Sequence, residues 1–214
     1  EFKEGVKFVL HHRLFLTLIL LSWISMFFGT SYVQIMPLFA DMLQSGERGY
    51  GLLISATGVG SIIGNLFISR YQQSRKLGIM MLSSAAMAPC SLIGFSLVSW
   101  ILAGTAGAFW MACCFAILTS ALSSVFLVSS MTVLQIKVPD AFRGRVMGIH
   151  SITFSMISLG GLAAGALATQ FSAPVAVVIG AFVVLSSVTW VAFKVSEIAK
   201  LDLNQQSKHT KLFQ

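Results

Sequence analysis

The longest uncharged stretch of the sequence is residues 77–136, which contain 60 residues and no Asp, Glu, Lys or Arg. A helix that crosses a bilayer uses about 20 residues, so the stretch is too long for one crossing and has room for two or three. Basic residues stand at both of its ends, at Lys76 and Lys137. Because short basic loops stay on the cytoplasmic side of a membrane, the number of crossings is even. We therefore predict two crossings, with a turn near Ser99 and Trp100.

Three other uncharged stretches complete the pattern, at residues 14–40, 49–69 and 146–193. The first two have the length of one crossing each. The third has a basic residue at each end and therefore holds two crossings, which turn near Gln170 to Pro174. Only 10% of the residues are charged, against about 25% in soluble domains. The predicted fold class is an all-α polytopic membrane protein, a six-helix bundle with both termini in the cytoplasm.

The distribution of basic residues supports this topology. Of the 14 Lys and Arg residues, 13 fall on the predicted cytoplasmic side, and only Arg48 falls outside. The net charge of +7 does not indicate nucleic-acid binding, because the charges flank apolar runs and do not line a polar surface. We expect the lipid bilayer, and no nucleic acid, as a partner.

The ends of the chain differ from its centre. Residues 1–13 mix charged and apolar side chains and predict an interfacial linker helix. Residues 14–194 form the transmembrane part, and residues 195–214 a polar cytoplasmic tail. The chain starts with Glu1 and has no cleavable signal peptide, so we interpret it as a fragment or as one half of a longer protein. Cys90, Cys113 and Cys114 lie in apolar runs without metal-ligand spacing, so no metal or cofactor is expected.

Two glycine pairs predict helix contacts. Gly60 and Gly64 form one GxxxG pair in the second crossing, and Gly161 and Gly165 form another in the fifth. Such pairs allow close approach of helix backbones in membranes. The two pairs are 101 residues apart. This spacing suggests that the bundle consists of two inverted three-helix repeats, as many transporters do.

The hairpin before the fifth crossing carries most of the remaining polar signals. Pro139 ends the preceding helix because it lacks an N–H. Asp140 is a good N-cap for the next helix, which we expect to begin near Ala141. Arg143 and Arg145 then lie at the polar edge of the crossing. The spacing predicts a tight basic turn on the cytoplasmic side.

Four segments of the sequence, including this hairpin, resemble segments of a known protein family. The sequence Val138-Pro-Asp-Ala-Phe-Arg-Gly-Arg-Val-Met147 resembles the hairpin between helices ten and eleven of major facilitator superfamily transporters, in the branch of bacterial drug and siderophore exporters. The segment Gly29-Thr-Ser-Tyr-Val-Gln-Ile-Met-Pro-Leu-Phe-Ala40 is similar to helix seven of that branch, and Glu4-Gly-Val-Lys-Phe8 to the linker between its two halves. Gly64-Asn-Leu-Phe-Ile-Ser-Arg70 with Arg75-Lys76 resembles the superfamily's Gly-x-x-x-Asp-Arg-x-Gly-Arg-Arg loop without its acidic residue.

The resemblance implies that the chain is helices seven to twelve of a twelve-helix transporter, whose amino-terminal half is missing here. It implies alternating access by rocking of the two halves, a small-molecule substrate bound between them, and a bacterial inner (plasma) membrane location. We assign a cytoplasmic gate loop to the charged residues of the two basic turns, which are Arg70, Arg75, Asp140, Arg143 and Arg145.

Candidate substrate-cavity residues come from polar and aromatic side chains inside the crossings. Tyr32 and Gln34 are polar groups of the first crossing, and such groups need a partner or a wet cavity in a membrane. Phe115, Phe126 and Phe154 are candidates for an aromatic wall, although most phenylalanines of such a chain face lipid or neighbouring helices.

His150 is a histidine within a predicted crossing, and it is the candidate proton-coupling residue. The simpler interpretation is a hydrated histidine near the end of a helix. Since no Asp or Glu lies inside a predicted crossing, the resemblance would place a titrating carboxylate in the missing half.

The predicted function is efflux of a small amphipathic molecule, such as a drug or a siderophore. Two alternatives stay open: a half-size transporter that acts as a dimer, and a non-transporting six-helix scaffold. We do not expect an enzyme, because the crossings hold neither an aspartate pair nor a glycine-flanked nucleophilic serine.

Overall fold

The computed structural model of the chain describes residues 2–71, 77–105 and 107–194, and the regular structure of these residues is helical throughout. Arg75 and the tail at 195–214 lie outside the described residues. The helices of the described part are α1 (Phe2–His11), α2 (Arg13–Ile24), α3 (Met36–Met42), α4 (Gly46–Tyr71), α5 (Leu77–Ile101), α6 (Ala108–Lys137), α7 (Asp140–Ser151), α8 (Ser155–Gln170) and α9 (Ala173–Lys194).

Six segments of the described chain are long and apolar enough to cross a membrane, so the predicted six crossings are confirmed. We call these segments the first to sixth spans, and they are Arg13–Met42, Gly46–Tyr71, Leu77–Ile101, Ala108–Lys137, Asp140–Gln170 and Ala173–Phe193. The uncharged residues 77–136 do contain two crossings, with the turn directly after Ile101. The last two spans turn at residues 171–172, as predicted.

The first span is helical along its whole length, as the one predicted crossing requires, but it does not keep α-helical geometry throughout. After α2, the chain forms a π-helix at Ser25–Thr30 and a 3₁₀-helix at Ser31–Ile35 before α3 resumes the α-helical geometry. Pro37 lies in the first turn of α3. Proline is tolerated there because the amide nitrogens of a first turn have no intrahelical acceptor. The α-helical geometry of the span is therefore broken near the middle of its length, at Ser25–Ile35.

The first predicted glycine pair lies in a helix contact, between the second and fourth spans. A Cβ at Gly60 would lie 2.9 Å from the Cα of Ile117, and one at Gly64 would lie 2.9 Å from the Cα of Ala121. Only glycine allows backbones to approach this closely, as expected for GxxxG pairs.

The second predicted pair is corrected by one residue. Gly160, and not Gly161 or Gly165, packs directly against the backbone of another span: a Cβ there would lie 2.9 Å from the Cα of Phe27 in the first span. Gly165 has no neighbouring atom within 4 Å of that position. The pattern GxxxG does not reveal which face of α8 turns toward the first span. The second span thus packs on the fourth, and the fifth on the first, which is the reciprocal pairing that two inverted repeats would produce.

The buried side chains form two hydrophobic clusters, one toward each end of the spans. The first cluster joins α1 and α7 with the adjoining ends of α2, α5, α6 and α9, and includes Leu18, Met81 and Val146. The second cluster joins α3 with the opposite ends of the other spans and includes Phe39 and Phe95. The broken segment of the first span lies between the two clusters.

Candidate functional site

The fifth span is far more exposed than the other spans. In its most apolar 18-residue window only 11% of the window is buried, whereas the corresponding share is 28% to 56% in the other five spans. Large side chains of α8 and of the turn before it project outward, including Phe154 at 56% exposure and Leu162 at 73% exposure. This open surface distinguishes the fifth span from the other five, and it is the candidate site.

Polar groups on this surface lack internal partners. Ser155 and Ser158 are exposed, and neither hydroxyl has a hydrogen-bond partner among the described residues. Exposed hydroxyls of the sixth span behave differently. Ser186 donates to the Val183 carbonyl at 3.0 Å, and Thr189 donates to the Leu185 carbonyl at 2.7 Å. A hydroxyl in a membrane span that is not bonded to its own helix needs water or a partner, so the surface of the fifth span is suited to a wet environment.

Gln34 of the first span joins this surface. It is exposed, and a Cβ at Gly161 would lie 2.6 Å from its Cγ, so the side chain of Gln34 lies across α8. Ser158 is one helical turn before Gly161, and Phe154 is two turns before it, so these side chains lie toward the same side of the span. We call Gln34, Phe154, Ser155 and Ser158 the fifth-span face.

The structure does not bring all five predicted cavity residues to this face. Tyr32 is only 3% exposed, and its ring lies 5.7 Å from that of Phe95 inside the bundle. Phe126 is 2% exposed and belongs to the first hydrophobic cluster. Phe115 is half-buried, with its ring against Gly94. Of the predicted residues, the fifth-span face contains Gln34 and Phe154.

His150 is buried, at 2% exposure, so it is not the hydrated helix-end histidine that the sequence favoured. It shares the inward face of the fifth span with Val146, Ile149 and Thr153, all of which are also buried. The cause is tertiary, because α7 packs against α1 and α6 and turns this face into the bundle. The His150 Nε2 and the Thr153 hydroxyl are buried without a hydrogen-bond partner in the described part of the chain.

The charged residues of the predicted gate loop form separate ion pairs. Arg143 Nη2 lies 2.6 Å from Asp140 Oδ1, one turn away on the same helix. Arg145 Nη1 lies 2.9 Å from Glu4 Oε2, which belongs to α1. Arg70 ends the second span, is exposed, and has no ion pair with a described residue. Since Arg75 lies outside the described residues, the loop as a whole is not assembled into one network among those described.

The contact between α1 and α7 includes more than the ion pair of Arg145 and Glu4. The rings of Phe8 and Phe142 stack with centroids 4.4 Å apart and an 8° angle between their planes. A Cβ at Gly5 would lie 2.8 Å from the Arg145 Cβ, so α1 approaches α7 closely at this point. The guanidinium of Arg145 also lies 5.6 Å from the Phe142 ring centroid. Glu4 was not predicted as a site residue, although it is the only acid within α1 and so the obvious partner for a basic turn.

Asp140 does not cap α7 as predicted. Helical geometry begins at Asp140 itself, and Pro139 is the N-cap, with an extended ψ of 145° and no side-chain cap bond. Pro139 instead accepts a backbone hydrogen bond from Phe142 at 2.9 Å. Because Asp140 is inside the first turn, its carboxylate bonds Arg143, and its negative charge still lies at the favourable end of the helix dipole.

Comparison with known proteins gives one informative result. The family model described as transmembrane secretion effector matches residues 1–213, which is nearly the whole chain. No curated protein and no solved structure compared with the chain matches it. The match agrees with the six membrane spans of the described chain. The chain belongs to the transmembrane secretion effector family of major-facilitator-type membrane transport proteins.

Proposed function

We propose that this chain is one six-helix half of an exporter that moves a small amphipathic molecule, such as a drug or a siderophore, across a bacterial inner (plasma) membrane. The second half would pack against the fifth-span face, and the substrate would pass between the halves by alternating access. The amino-terminal half is the partner that the resemblance implies. The family supports membrane transport, and the remaining steps of the proposal rest on the geometry of the described residues.

One observation carries the proposal. The fifth span combines the lowest burial of the six with two outward hydroxyls, those of Ser155 and Ser158, that have no hydrogen bond among the described residues. A surface that only faced lipid would have no use for unbonded hydroxyls, since the bilayer core offers no partner. A water-filled path beside a second half provides both water and substrate contacts, and the ring of Phe154 offers an apolar surface for an amphipathic substrate.

The test compares two phenylalanines of equal exposure in the complete transporter. Phe154 is 56% exposed on the fifth span, and Phe182 is 57% exposed on the sixth. We expect F154A to reduce efflux severalfold at equal membrane abundance, and the matched F182A to leave efflux unchanged. Uptake and retention of a fluorescent amphipathic substrate by cells would measure both. Equal transport by the two variants would contradict a substrate path along the fifth-span face.

The same face is suited to a second copy of the chain, which is the half-size alternative. The two arrangements predict different companions for the purified protein. A covalent or copurifying six-helix segment of different sequence supports the two-half exporter. A homodimer of this chain that transports substrate by itself would favour the half-size transporter over the two-half exporter. A chain that transports neither as a homodimer nor with a second segment would indicate a scaffold.

The proposed orientation places α1 and the turn before α7 in the cytoplasm, because basic residues concentrate at this end of the spans. Single cysteines introduced at Ala141 and at Gln44, in a background without the three native cysteines, would test it. A membrane-impermeant thiol reagent added outside should label the Gln44 position and not the Ala141 position. The reverse labelling pattern would invert the proposed topology.

His150 is the proposed proton-coupling residue of this half. It is a buried imidazole within a span, and its Nε2 has no hydrogen-bond partner in the described part of the chain. Buried ionisable groups within spans commonly serve in proton transfer. We expect H150N to retain downhill substrate exchange while losing transport against a gradient. Full uphill transport by H150N would assign the coupling elsewhere.

A further inference from the structure

A small, partly enclosed cavity lies inside the bundle where the α-helical geometry of the first span is broken. It is bounded by the middle parts of the first, third, fourth and sixth spans, and its volume is about 20 Å³. Ser25, Met26 and Gly29 come from the first span, Ala85 and Pro89 from the third, and Thr119 from the fourth. The cavity is separate from the fifth-span face, because no residue of α7 or α8 lines it.

Two polar groups at this cavity lack their usual partners. The hydroxyl of Ser25 is buried and has no hydrogen-bond partner among the described residues. The carbonyl of Ala85 lacks its helical donor, because the residue four positions later is Pro89, which has no N–H. Buried polar groups that have lost their water and found no partner destabilise a fold. Both groups belong to residues that line the same small space, which suggests that one ligand satisfies them together.

The broken geometry of the first span explains why a space exists here. The π-helix at Ser25–Thr30 begins at Ser25 and widens the backbone next to Pro89. Such π segments occur often at functional sites. Two other hydroxyls at the cavity are already engaged as donors: Thr119 donates to Ser91 at 2.9 Å, and Thr30 donates to the Met26 sulfur at 3.5 Å. Their oxygen lone pairs stay available as acceptors, so the cavity can receive a ligand that donates hydrogen bonds.

Size and charge decide which ligand fits. A water molecule needs roughly 10–15 Å³ of such volume and two to four polar partners, so the cavity has room for one. No charged side chain of the described residues lines it. A cation would therefore be buried at the middle of the membrane without a compensating carboxylate, which is strongly unfavourable. A single neutral molecule with both donors and acceptors satisfies the site.

We propose that one ordered water molecule binds in this cavity, donating to the Ala85 carbonyl, bonded to the Ser25 hydroxyl, and within reach of Thr119. The water takes the place of the helical bond that Pro89 removes, and it gives the Ser25 hydroxyl a partner. It therefore bridges the first and third spans at the point where the α-helical geometry of the first span is broken. The site is a property of this half alone and does not depend on the substrate path proposed above.

X-ray hydroxyl-radical footprinting of the complete protein in lipid nanodiscs tests the proposal, because radiolysis of a bound water oxidises the side chains beside it. Met26 lines the cavity and is only 4% exposed. Met36 lies on the same span, is 0% exposed and does not line the cavity, so it is the matched control. We expect Met26 to be oxidised severalfold faster than Met36.

Two variants distinguish oxidation of Met26 by a bound water from oxidation caused by its slight exposure to solvent. S25V removes the hydroxyl and fills the space, and should lower oxidation of Met26 to the level of Met36. S25A keeps the space and removes only the polar partner, so it serves if S25V does not fold, and it should lower the oxidation severalfold. Equal oxidation of Met26 and Met36 in the unaltered protein would overturn the proposal. Oxidation of Met26 that is unchanged in both variants would overturn it as well, because it would not come from water at Ser25.

Discussion

The third and fifth spans have the same mean hydropathy, yet their surroundings are opposite. In the third span 56% of the most apolar window is buried, against 11% in the fifth. The third span packs against the fourth and sixth along much of its length, whereas α8 contacts the first span and α9 and leaves its other side open. Hydropathy therefore reports that both segments enter the membrane. It does not report which of them forms the centre of the bundle.

The third and fifth spans also differ in whether their serine hydroxyls bond to other spans. Ser91 of the third span accepts a hydrogen bond from Thr119, and Ser96 donates to the Pro174 carbonyl at 2.9 Å. Each of these bonds joins the third span to another span. Ser155 and Ser158 of the fifth span make no such bond with a described residue. Ser91 and Ser96 thus join the third span to its neighbours, whereas the hydroxyls of Ser155 and Ser158 stay available for contacts outside this half.

The largest expected difference comes from removing one phenylalanine from each span. Phe95 is fully buried in the third span, with its ring 4.9 Å from that of Phe39. F95A should lower the free energy of unfolding by about 3–5 kcal/mol because it leaves a cavity. F154A on the fifth span should change it by about 0.5 kcal/mol or less, since Phe154 is exposed. Denaturant titration of the protein in mixed micelles would measure both values. Similar losses in the two variants would remove the contrast between the spans.

A smaller effect should separate the two sides of the fifth span itself. Gly160 faces the backbone of Phe27, so G160A forces the first and fifth spans apart and should cost about 1–3 kcal/mol. Gly165 faces open space, so the control G165A should be neutral or stabilising by up to about 1 kcal/mol. Thermal unfolding in detergent would rank the two variants. A loss in G165A as large as that in G160A would contradict Gly160 as the contact glycine of the fifth span.

The smallest stability effect is expected where the fifth span begins. Arg145 is partly exposed and pairs with Glu4, so R145K should alter the free energy of unfolding by less than about 1 kcal/mol. Lysine keeps the charge but loses the forked geometry and much of the contact with the Phe142 ring. If the α1–α7 contact is part of the cytoplasmic gate, R145K should slow transport severalfold. The control R143K should not, because Arg143 pairs within its own helix.

The double variant R143K/R145K isolates the orienting role of the two charges. It should insert with normal topology, since lysine and arginine orient loops equally. Transport by the double variant at the unaltered rate, measured at equal membrane abundance, would leave the arginines as topology signals alone.

Several features of the candidate site depended on helix rotation, which sequence patterns report poorly. Gln34 and Phe154 were predicted cavity residues and do lie on the open face. Tyr32 and Phe126 carry equally plausible side chains, but packing turns them into the bundle. No local pattern distinguishes the two pairs, because the few polar residues of each span are scattered among apolar ones and mark no continuous polar face.

The sequence by itself determined the number of spans, the positions of their turns and the distribution of charge about them. These are properties of single segments, set by the transfer of each apolar run into lipid. Only the tertiary structure decided that the first span breaks at Ser25–Thr30, that Gly160 is the contact glycine of the fifth span, and that His150 is buried. Each of these depends on how one helix meets another. Lipid and protein are almost equally apolar surroundings, so close packing and a few hydrogen bonds select the arrangement, and hydropathy does not.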